Sequence, residues 1–114
     1  MHALTLIAAL LTGPTPEEKA ALDRTVQLEE KKVQESPDDG EALYRLGLAY
    51  LSLRQAKKAT GPLGLLVKRD PESLDGKLLY ARALRLSGSP QEAKALLEQA
   101  ILSLPDESTL RAER

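Results

Sequence analysis

Between Glu41 and Pro71 apolar residues return every three or four positions: Ala42, Leu43, Leu46, Tyr50 and Leu53, then Ala56, Ala59, Leu63 and Leu66. One buried face per helix gives this spacing, so the stretch predicts two helices, from about Gly40 to Leu53 and from about Gln55 to Lys68. The pattern recurs downstream. Leu78, Tyr80, Ala81 and Leu84 mark a helix over Leu74 to Leu86, and Ala93, Leu96, Leu97, Ala100 and Ile101 are expected to be buried on a helix from Pro90 to about Ser103. Upstream, Leu22, Val26, Glu29 and Val33 line a thinner stripe on a helix from Pro16 to Glu35.

The punctuation supports these bounds. Thr15-Pro16-Glu17-Glu18 is a capping box with proline at the first helical position, and Ser89-Pro90-Gln91-Glu92 has the same design. Asp38 or Asp39 and Ser73 can cap the helices that follow them. Gly61-Pro62 interrupts the helix over 55–68, where Pro62 offers no N–H to the Lys58 carbonyl, so a kink or a local widening is expected between Ala59 and Pro62. Gly47 lies mid-helix among apolar residues. An interior glycine costs about 1 kcal/mol relative to alanine, which predicts a packing reason, the close approach of a neighbouring helix. Ala81 takes the same place in the later helix.

Residues 1–13, MHALTLIAALLTG, are nearly all apolar, too few to span a bilayer and without a basic leader. They read as a short helix over Ala3 to Leu11, buried on more than one side and ended by Gly13-Pro14; the alternative is a tail that touches a membrane or a partner. After Pro105 the polar tail DESTLRAER reads as a capping segment.

Leu43, Leu46-Gly47, Tyr50, Ala59, Leu63 and Pro71 stand in the order and spacing of a tetratricopeptide repeat, and the chain resembles that family. Shifted by 34 residues, Tyr80-Ala81, Leu84, Ala93, Leu97, Ala100 and Pro105 fill the same slots. The turn between the first two helices departs from the family pattern, with Arg54-Gln55 in place of glycine. The resemblance implies an all-α right-handed solenoid of six to seven helices in one domain: an N-terminal hairpin over 1–36, repeats over 38–71 and 72–105, and the cap over 106–114. About three such units are needed for a stable stack.

Composition narrows the chemistry. The 114 residues are 42% hydrophobic and 29% charged, a globular balance. Three Tyr with no Phe or Trp leave the core to Leu, Ala, Val and Ile, and the absence of Cys removes disulfides and thiolate metal sites. One His, no Cys and no Gly-rich loop after a strand offer no nucleophile, base and orienting group, so neither enzyme activity, nor a cofactor, nor a metal is expected. The net charge of −1 gives no general attraction to nucleic acid. The middle of the chain is nonetheless basic: residues 41–88 hold nine bases and four acids.

In such a stack the first helix of each repeat faces a concave groove. The face opposite the core presents Glu41, Tyr44, Arg45, Leu48 and Ser52 from one repeat and Asp75, Leu78, Leu79, Arg82, Arg85 and Leu86 from the next. Of these, Tyr44, Arg45, Leu48, Ser52, Leu78, Arg82, Arg85 and Leu86 are the candidate partner-binding residues. Family members that grip chaperone tails carry Lys, Arg and Asn there; this chain has no Asn, and Tyr44 and Leu48 stand in polar places. The resemblance implies a scaffold or adaptor for another protein or peptide, one with apolar anchors and an acidic group. The competing reading is an assembly component that self-associates, as a homodimer, or contacts a membrane through residues 1–13. The cytoplasm is the expected compartment, with the periplasm and the membrane surface left open.

Overall fold

The computed structural model describes residues 13–104, which form five helices and no strand: α1 (Pro16–Glu35), α2 (Gly40–Ser52), α3 (Ala56–Arg69), α4 (Leu74–Leu86) and α5 (Pro90–Leu102). Every observed end lies within one residue of its sequence-based place. Five helices are fewer than the six to seven expected; the other two fall on Ala3 to Leu11 and on 106–114, outside the described residues, as does Pro105.

Each helix packs against the next along the chain, and α2 also touches α4. Among the described residues α1 packs only on α2, and α5 only on α4. The helices therefore form two rows, α2 and α4 in contact in one, and α1, α3 and α5 out of contact with each other in the second. A pair of rows with unequal spacing curves toward the tighter row, so α2 and α4 form the inner side. This is the helix-pair stacking of an α-solenoid.

Hydrogen bonds repeat with the sequence. Asp39 N donates to Ser36 O at 3.0 Å, and 34 residues on Ser73 N donates to Asp70 O at 3.0 Å. Asp39 Oδ1 accepts from Ala42 N at 3.2 Å, as Ser73 Oγ accepts from Gly76 N at 3.1 Å. At the opposite ends of the hairpins, Gln55 N reaches Tyr50 O and Ser89 N reaches Leu84 O, both at 2.8 Å. These last bonds close turns that need a left-handed residue. Gly88 supplies it at φ +99°, and Arg54 supplies it at φ +61° without the freedom of glycine.

The core is small and aliphatic. Leu43, Leu46, Tyr50, Leu51, Ala59, Leu63, Leu66 and Ala83 form its main cluster, and Ala81, Leu84 and Ala93 a second. Gly47 has the packing role expected of it: a Cβ there would run into Cγ and Cδ2 of Leu63, which is fully buried. Ala81 is likewise buried.

Helix α3 is continuous from Ala56 to Arg69 with Pro62 inside it, so of the kink or local widening expected there the widening does not occur. Gly61 explains part of this, since it lacks the Cβ that a following proline ring crowds in the α region, and the freed Lys58 carbonyl sits on an exposed residue. Expectations at other positions are also corrected. Ser89 makes no side-chain cap, because its backbone is at ψ 60° rather than extended, whereas Thr15 at ψ 165° completes its box with Glu18. Ile101 is 66% exposed rather than buried, since among the described residues nothing packs on the far side of α5. Leu79 and the candidate Tyr44, both expected on the open face, are half-buried against the main core cluster.

Candidate functional site

The inner row brings the two helix faces together in register. Tyr44, Leu48 and Ser52 on α2 correspond to Leu78, Arg82 and Leu86 on α4, one 34-residue step apart, on two helices that touch. Leu48, Leu78 and Leu86 are 41%, 45% and 53% exposed. Their exposure has a local cause: at steps of four, these positions stay on the side of each helix opposite Leu46, Tyr50, Tyr80 and Leu84, which the hairpin consumes.

The eight candidate residues do not share one cavity. Ser52, Arg82 and Leu86 line an open cleft of about 810 Å³ whose other walls come from Gly13, Pro14, Glu18, Ala21 and Leu22, together with Leu51, Arg54 and Ala56. Tyr44 and Arg45 line a second concavity, at the starts of α2 and α4, beside Asp39, Asp70, Ser73 and Asp75. Leu48, Leu78 and Arg85 line neither.

The cations differ in their engagement. Arg45 lies 3.3 Å from Glu41 Oε1 and 4.0 Å from Glu29 Oε1, so it is drawn toward α1. Arg82 and Arg85 are exposed and make no ion pair among the described residues. Arg85 stands one repeat after Leu51 and lines neither concavity. The chain's middle is therefore basic in a divided way, with Arg82 alone of these three lining the large cleft.

Glu29 is buried at 3% exposure in the slot that Leu63 fills one repeat later. Its Oε1 is 3.4 Å from Lys32 Nζ, while Oε2 has no hydrogen-bond partner. Next to it, Tyr50 donates its hydroxyl to Glu30. Burial, that hydrogen bond and the nearby carboxylate push the Tyr50 phenol up to about 12. These groups pin α1 to α2 rather than form a reactive centre. Among the described residues no group of three or more His, Cys, Asp or Glu is placed to hold a metal ion, and no helix is long and apolar enough to cross a membrane.

Sequence reasoning missed Leu22, Ala21 and Arg54 as cleft residues. The signal for Arg54 was its place, 34 residues before Gly88, where a side chain must project from a left-handed turn.

The tetratricopeptide repeat family model matches residues 41–73, which span α2, α3 and the turn into α4. Comparison with curated proteins gives no match. Residues 41–73 thus form a tetratricopeptide repeat, a kind of helical hairpin that generally serves as a surface for binding other proteins.

Proposed function

We propose that the chain is an adaptor that holds an extended or helical segment of another protein along the face of α2 and α4. The observation that carries this reading is the register of Tyr44, Leu48 and Ser52 with Leu78, Arg82 and Leu86 on two touching helices. Three exposed leucines on that face leave apolar area in water that a partner would cover. Arg82, without an ion pair among the described residues, favours a partner with an acidic group.

The test is affinity capture with the full chain, followed by Leu48→Glu/Leu78→Glu and by Arg82→Glu. Both changes are at exposed positions, and circular dichroism checks that helicity is kept. A protein retained by the wild type and lost at least tenfold by both variants supports the reading. Retention undiminished by either variant overturns it.

A further inference from the structure

We propose, resting on the groove reading above, that the partner is anchored in the cleft between the start of α1, the α2–α3 turn and the end of α4, and that this cleft takes an apolar side chain next to a carboxylate. The volume of about 810 Å³ falls within the ~300–1,000 Å³ of sites that bury small ligands. The lining is largely apolar, with Leu22, Leu51, Ala56 and Leu86, and it carries two guanidinium groups, Arg54 and Arg82.

The charge on that lining selects the occupant. Glu18 is its one acid, and it is engaged in the α1 cap, where Oε2 accepts from Thr15 N at 3.4 Å. Arg82 makes no hydrogen bond or ion pair among the described residues, so its planar fork can receive a carboxylate with two parallel bonds. The Arg54 side chain lies over Gly13, where a Cβ would come within 2.9 Å of Nε. An acidic group thus meets Arg82, a cation with no ion pair among the described residues, while the one acid of the lining is held in the cap. Arg85, outside this cleft, is predicted to take no part.

Amide chemical shifts of the full chain, titrated with N-acetyl-Leu-Glu-Leu-amide and with its Gln counterpart, test the proposal. The acidic peptide should shift the amides of Leu22, Ser52, Ala56 and Leu86 and bind about tenfold more tightly than the neutral one. Arg82→Gln should erase that preference and Arg85→Gln should keep it. Equal affinity of the two peptides for the wild type overturns the proposal without any variant. Shifts confined to Tyr44, Leu48 and Leu78 overturn it while leaving the groove reading in place; no shift anywhere counts against both.

Discussion

The backbone of Gly47 lies directly against the side chain of Leu63, with no room for a Cβ between them. Helices α2 and α3 are held at this distance by the missing side chain. Gly47→Ala should gain about 1 kcal/mol of helix propensity and lose about 1–3 kcal/mol to overpacking. Because the contact falls on Cγ as well as on a terminal methyl of Leu63, Leu63 cannot yield by a small rotation, and the net effect is destabilising. Urea denaturation should show a lower midpoint; a higher one would contradict the close approach.

The helix starts give a graded set. Asp39→Ala and Ser73→Ala each remove a side-chain cap bond, to Ala42 N and Gly76 N, and each should cost about 1 kcal/mol. Ser89→Ala removes no such bond, so its midpoint should stay within about 0.5 kcal/mol of wild type. Equal losses at all three positions would mean that Ser89 caps α5 in solution.

Tyr50 ties stability to alkaline pH. Its phenol titrates at about 12 in the folded chain, against 10.0 for the free side chain. Between those values the unfolded chain has released the proton and the folded chain still holds it, so stability falls as pH rises from about 10 toward 12. Below pH 10 the contribution is fully present. Tyr50→Phe should be less stable at pH 8 and should lose less than wild type between pH 10 and 11.5, read as the difference between two denaturation series.

Gly88 separates backbone strain from packing. A Cβ there would meet nothing within 4 Å, yet φ is +99°. Gly88→Ala should therefore cost about 1–2 kcal/mol from the left-handed conformation alone. Unchanged stability would show that the turn relaxes to negative φ.

Glu29 should be a stabilising site for substitution. It fills the slot of Leu63 with a carboxylate whose Oε2 has no hydrogen-bond partner, and both of its cations are partly in water. Glu29→Leu leaves Lys32 and Arg45 solvated and should raise stability by up to about 1–4 kcal/mol, as replacement of buried ionic groups often does. A fall of more than about 1 kcal/mol would show that the ionic contacts outweigh the desolvation of the carboxylate.

How far the sequence could be read depended on whether a feature is local. Thr15, Asp39 and Ser73 announced their helices because a cap is set by a few neighbouring residues. Ser89 misled because a capping box fixes residue types and not ψ, and the hydrogen bond that closes the preceding turn, Ser89 N to Leu84 O, takes the backbone out of the extended region. Ile101 misled for another reason: periodicity says which face of α5 is apolar, not whether anything covers it. The register of α2 with α4 followed from the 34-residue shift. The contribution of Leu22 and Ala21 to the cleft did not, because α1 reaches it through packing on α2, across about 30 residues of chain. Arg45 and Leu79 occupy corresponding slots with opposite fates, one paired with acids and the other packed, which residue identity decides and spacing does not.

The turns reproduce one another bond for bond, so each hairpin carries its own instructions for receiving the next. Length is therefore a quantity this architecture can change in whole modules. A duplicated or deleted segment would lengthen or shorten the stack by a hairpin while leaving the backbone bonds of every remaining junction the same.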